Sequence, residues 1–128
     1  MKNKLPVKLG GIVTRFKGNG RRLGYPTANL TIATDLADGV YFGFADLADW
    51  TKQPSLIFIG TPTTLGDDEH RVEVHLLDIP DRDYYDRHLS ASLKYYHRPN
   101  QKFSDIKQLQ DAMRSDETAA REWFAKKD

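Results

Sequence analysis

Thr27 and Asn29 stand two positions apart in Tyr25-Pro26-Thr27-Ala28-Asn29-Leu30. In an extended chain that spacing turns a hydroxyl and an amide oxygen to one face. Hard oxygen donors of this kind suit magnesium, which keeps several waters and shares the phosphates of a substrate. Just before them runs Lys17-Gly18-Asn19-Gly20-Arg21-Arg22-Leu23-Gly24. Gly18, Gly20 and Gly24 let backbone amides close around an anion, and Lys17, Arg21 and Arg22 add positive charge. Phosphate-binding and metal-binding chemistry therefore lie side by side. Each piece has a plainer reading as well. Glycine pairs make turns, Thr27 is a structural hydroxyl after proline, and Asn29 is a turn amide.

A second candidate lies further on. Arg71-Val72-Glu73-Val74-His75-Leu76 alternates polar and apolar, as a half-buried strand does. The alternation puts Glu73 and His75 together on the face opposite the valines. A carboxylate in a barrel strand is costly unless it is paired or functional. Taken alone, Glu73 reads as solvent-exposed and Arg98 as a surface charge.

Positioning these groups takes strands. Strand-like stretches recur near Leu9–Arg15, Gly39–Leu47, Ser55–Gly60, Arg71–Leu77 and His88–Tyr96, with glycine, proline or aspartate between them. No helical pattern separates them, so the expectation is an antiparallel barrel or sandwich. Ser104 is expected to cap a helix carrying Ile106, Leu109 and Met113, and Ser115 or Asp116 to cap a second piece through Ala119, Ala120, Trp123 and Phe124. The apolar stripe must bury itself on the outside or an open end of the barrel.

Composition narrows the class. The 128 residues suit one domain, and 39% hydrophobic content can fill a modest core. With no cysteine, disulfide, thiolate-zinc and cysteine-nucleophile chemistry fall away. Pro6, Lys8, Gly10 and Gly11 break the N-terminal apolar run, so no signal peptide or membrane helix is expected, and a cytoplasmic location is. The first 34 residues hold seven of the 19 Lys and Arg and none of the 18 acidic residues. That asymmetry favours an anionic ligand, either nucleotide phosphates or a nucleic-acid backbone.

Further segments follow in order: Gly39-Val40-Tyr41, Ile59-Gly60-Thr61, Val72-Glu73-Val74-His75-Leu76-Leu77-Asp78, Arg98-Pro99 and Phe103-Ser104. With Gly24-Tyr25-Pro26-Thr27-Ala28-Asn29-Leu30, they make the chain from about Gly11 to Ala125 resemble the riboflavin kinase (flavokinase) family. The resemblance implies one domain over residues 1–128: a small Greek-key antiparallel β-barrel of about six strands (about 7–98) and a helical segment (about 104–126). It implies Mg-dependent transfer of the γ-phosphate of ATP to the 5′-hydroxyl of riboflavin, giving FMN and ADP. On this pattern Glu73 is the general base, and Thr27 and Asn29 are the magnesium ligands. Lys17, Gly18, Gly20, Arg21, Arg22 and Gly24 line the phosphates. Tyr25, Arg98 and Phe103 lie at the flavin end, and His75 supports the strand. The partners are small molecules, with no nucleic acid and no membrane, and the protein is expected to be a monomer. Because the chain starts at Met1, just before the kinase motifs, FMN synthesis without FAD synthesis is expected.

The chain departs from the family pattern in four places. Asn19 replaces an arginine, Pro62-Thr63-Thr64-Leu65 replaces Asn-Pro-Thr-Phe, Asp86 replaces a glycine, and His97 replaces a leucine. The first two motivate an alternative: a flavin- or nucleotide-binding module of the same fold with impaired catalysis. A nucleic-acid-binding barrel would need aromatic platforms on adjacent strands. The aromatics here are scattered, and residues 67–86 are rich in acid.

Overall fold

In a computed structural model, which describes residues 5–14, 27–30, 32, 34–61, 69–80 and 84–126, six strands precede one helix. They are β1 (Val7–Thr14), β2 (Thr27–Leu30), β3 (Gly39–Leu47), β4 (Trp50–Gly60), β5 (Arg71–Leu76), β6 (His88–Arg98) and α1 (Ile106–Ala125). The strands close into a barrel in the order β1-β2-β5-β4-β3-β6. Every neighbouring pair is antiparallel. Strands β3, β4 and β5 form a meander, and β6 returns to lie beside β3, which is the Greek-key arrangement. The expected mainly-β barrel is therefore what the chain forms.

Alternation along the strands divides the side chains between two cores. Inside the barrel pack Val13, Leu30, Tyr41, Ile57, Ile59, Val72, Val74, Leu89 and Leu93, all essentially removed from water. Outside it, Val40, Phe42, Leu56 and Leu77 are covered by Ala120, with Phe58, Ala119, Trp123 and Phe124 around them. Ala119, Ala120, Trp123 and Phe124 recur at helical spacing, so one stripe of α1 seals one patch of the outer wall.

The structure corrects three local expectations. First, β4 begins at Trp50 rather than Ser55. Polar Lys52 and Gln53, a positive φ at Lys52 and Pro54 hide its first half from a reading of alternation. Second, the extended segment expected at Thr27–Asn29 is a paired strand, β2, whose four residues are too few for a periodic signal. Third, the helix is continuous. Its cap is Asp105, whose carboxylate accepts from the Gln108 amide at 2.9 Å. Asp116 lies mid-helix and directs its carboxylate to Arg98 instead of to a helix end.

The departure at Asp86 also has a local basis. Its φ is +68°, the left-handed region that glycine occupies most easily and aspartate tolerates. Its amide donates to the Val13 carbonyl, tying this turn to β1.

Gly43 sets the spacing of β3 and β6. A Cβ there would stand 1.9 Å from the Ser92 carbonyl oxygen. Backbone cannot swing aside as a side chain does, so Gly43→Ala must force the two strands apart. A stability loss of about 3 kcal/mol is expected. Urea unfolding of the variant checks it, and an unchanged midpoint would refute this packing.

Candidate active site

The β2–β5 pairing assembles the site. Thr27 lies opposite His75, and Asn29 opposite Glu73. Ala28, Leu30, Val72 and Val74 take the inward positions. By alternation Thr27, Asn29, Glu73 and His75 share the outer face. Asn29 and His75 are buried, while Thr27 and Glu73 are half-buried. The Glu73 side chain keeps 13% of its surface exposed.

Contacts within the group are close. Oγ1 of Thr27 lies 3.0 Å from Nδ1 of His75. Nε2 of the same ring lies 3.8 Å from Oε1 of Glu73. Thr14 on β1 donates its hydroxyl proton to the Asn29 carbonyl at 3.1 Å, fixing the edge of β2. Burial holds the His75 pKa down at about 4, against an opposing pull from the Asp116 carboxylate. The ring is therefore neutral at physiological pH.

A row of paired residues continues from this group around the barrel: Thr14, Asn29, Glu73, Phe58, Val40, Arg98. Glu73 and Arg98 stand three strand spacings apart, about 14 Å along the sheet. The structure thus brings Thr27, Asn29 and Glu73 together and sets Arg98 at a distance from them. Arg98 is bound to Asp116 on α1, with Nε and Nη2 donating to its two carboxylate oxygens at 2.7 Å each. The His97 ring, 3.3 Å from the same carboxylate, stacks on Phe42. Phe103 is half-buried in the segment leading to α1. Lys17, Gly18, Gly20, Arg21, Arg22, Gly24 and Tyr25 lie outside the described residues, as do Asn19 and Pro62–Leu65.

Two groups near the site become visible only with the fold. Asp116, expected with Ser115 as an alternative cap of a second helical piece, is 4% exposed and joins the helix to β6. A buried carboxylate facing a half-buried guanidinium holds its partner's orientation. His75, expected to support the strand, lies two residues from Glu73, the same spacing that separates Thr27 from Asn29. That shared spacing was the available sign of two facing pairs.

Thr27 and Asn29 offer neutral oxygen donors, and Glu73 lies next to them. This donor set suits a hard divalent cation whose remaining ligands come from phosphate and water. Among the described residues, no three of His, Asp or Glu gather into a self-sufficient metal site.

Comparison with known proteins bears on the family and the fold. The family model described as riboflavin kinase matches residues 3–124. A bifunctional riboflavin kinase/FMN adenylyltransferase from Escherichia coli (strain K12) is 32% identical over 121 residues, covering 93% of this chain and 38% of its own length. The chain thus spans less than two-fifths of that relative. The riboflavin kinase of Trypanosoma brucei superposes with a TM-score of 0.70 at 21% identity, covering 94% of this chain and 78% of its own; this supports the fold. A structure described as a macrolide-efflux protein from Streptococcus pneumoniae superposes with a TM-score of 0.76 at 30% identity, over 92% of this chain and 39% of its own. No helix among the described residues is long and apolar enough to cross a membrane.

The neutral, buried imidazole has a consequence for stability. Unfolded histidine titrates near 6.5, so between about pH 6.5 and 4 the unfolded chain binds a proton that folded His75 refuses. Stability should fall as pH drops through that window, by at most about 3 kcal/mol from this group, and should not depend on it above pH 7. Among the described residues, Thr27, Glu73 and Asp116 act on the ring. Urea midpoints for wild type and His75→Gln across pH 4–8 check this. The difference between the two curves should change mainly inside the window, and a constant difference would refute it.

Proposed function

The chain belongs to the riboflavin kinase family, and from that premise we propose that it transfers the γ-phosphate of ATP to the 5′-hydroxyl of riboflavin, giving FMN and ADP. The observation that carries this reading is the β2–β5 register, which sets the Thr27 and Asn29 oxygens beside the Glu73 carboxylate. Glu73 acts as general base. It accepts the hydroxyl proton as the oxygen attacks the γ-phosphorus in line, and ADP departs with the β–γ bridging oxygen. A half-buried carboxylate suits the task because limited hydration leaves its lone pairs available to a bound alcohol.

Thr27 and Asn29 would hold Mg2+ together with the nucleotide phosphates. The ion would supply neutralisation of charge on the transferring phosphoryl group. Lys17, Gly18, Gly20, Arg21, Arg22 and Gly24 line those phosphates, as their charge and glycine content allow. Phosphoryl transfer needs little covalent help, so alignment of these groups provides most of the acceleration.

The flavin ring extends from Glu73 over Phe58 toward the N-terminal half of α1. Support for this direction comes from the helix. Its C-terminal half is docked on the barrel, whereas Leu109 and Met113 are only half-buried and Ile106 is 39% exposed. Tyr25 and Phe103 flank the ring. Arg98 ties β6 to the helix beside this region through its pair with Asp116.

Purified protein incubated with riboflavin, ATP and magnesium should yield FMN on chromatographic separation of the flavins. Glu73→Gln keeps the shape and removes the base, so kcat should fall about 10²- to 10⁴-fold with nucleotide binding retained. Binding of both substrates by wild type without turnover would support an impaired binding module instead. Wild-type turnover in Glu73→Gln would refute the role of Glu73.

A further inference from the structure

We infer that His75 is a positioning residue that orients the Thr27 hydroxyl and the Glu73 carboxylate at once, through a single tautomer of its ring. The inference rests on the kinase reading above and adds a role for a side chain which that reading leaves as scaffold.

The argument begins with a hydroxyl's one proton. When Thr27 presents a lone pair to a cation, its proton must point elsewhere, toward an acceptor. Nδ1 of His75, 3.0 Å from Oγ1, is an acceptor only in the tautomer that carries its proton on Nε2. Nε2 faces Oε1 of Glu73 at 3.8 Å. A bare nitrogen lone pair against a carboxylate would be repulsive, whereas an N–H there is attractive. Both neighbours therefore select the same tautomer. The distance to Glu73 exceeds a hydrogen bond, so this contact orients the carboxylate electrostatically. Such contacts are often long before a reacting complex forms.

Backbone pairing makes the arrangement possible. His75 sits directly opposite Thr27, and Glu73 lies two residues back on the same face. Leu56 is the β4 partner of His75 in the pairing and belongs to the outer core. The ring thus couples β2, which bears the oxygen donors, to the base on β5. Histidines that orient ligand groups through their second nitrogen follow the same logic elsewhere.

Two measurements test it. Nitrogen-15 NMR of the ligand-free wild type at pH 7.5 reads the tautomer directly. The inference requires a protonated Nε2 and a bare Nδ1 for His75; a protonated Nδ1, alone or with Nε2, overturns it. The second measurement is calorimetric binding of a non-hydrolysable ATP analogue as magnesium is varied, without turnover. His75→Leu removes the acceptor and should raise the magnesium concentration for half-saturation about tenfold. His75→Asn places an amide oxygen where Nδ1 stood and should stay within about threefold of wild type. Equal magnesium dependence in His75→Leu and wild type would overturn the inference while leaving the kinase reading intact. Absence of any magnesium effect on nucleotide binding by wild type would instead overturn the kinase reading. Thermal unfolding of both variants separates loss of fold from loss of orientation.

Discussion

The register between β2 and β5 is the constraint on which the site depends. Side chains in a strand alternate, so a slip of one residue would turn Thr27 and Asn29 inward and bring Ala28 and Leu30 out. The inner core forbids that slip. Leu30, Val72 and Val74 are fully buried among Val13, Ile57 and Ile59 and cannot be exchanged for polar groups without cost. Packing that looks purely structural therefore places Asn29 opposite Glu73. The hydrogen bond from Thr14 to the Asn29 carbonyl secures the other side of this very short strand.

The outer wall of the barrel has two regions of unlike character. Over β3 and β4 it is apolar and sealed by the C-terminal half of α1. Over β2 and β5 it is polar and bears the candidate chemistry. Asp116 lies near the boundary. It binds Arg98, lies close to His97, and its charge reaches His75. The helix is thus fastened to the barrel by an ion pair as well as by Ala120, Trp123 and Phe124.

Much of this was legible in the sequence. Alternation in Arg71–Leu76 gave the strand and the outward face of Glu73 directly, and the spacing of Thr27 and Asn29 gave their shared face. The strand-rich order predicted a barrel. What stayed hidden depended on contacts between distant segments. Nothing local marks Asp116 as the partner of Arg98, because a mid-helix aspartate and a cap are alike in sequence. The opposition of Thr27 and His75, 48 positions apart, is set by pairing alone. The first half of β4 was obscured by its bulge and Pro54, where local propensity opposes the strand that tertiary pairing imposes.

Manganese offers the most direct test, since it replaces magnesium and broadens nearby NMR signals. Titrating Mn2+ into the protein with ADP should broaden the amides of Thr27–Asn29 and Glu73–His75 first and most strongly. Broadening centred instead on the surface carboxylates, such as Asp38 beside His70 or Asp78 beside Arg121, would contradict the account, because the cation would then bind away from the β2–β5 pairing.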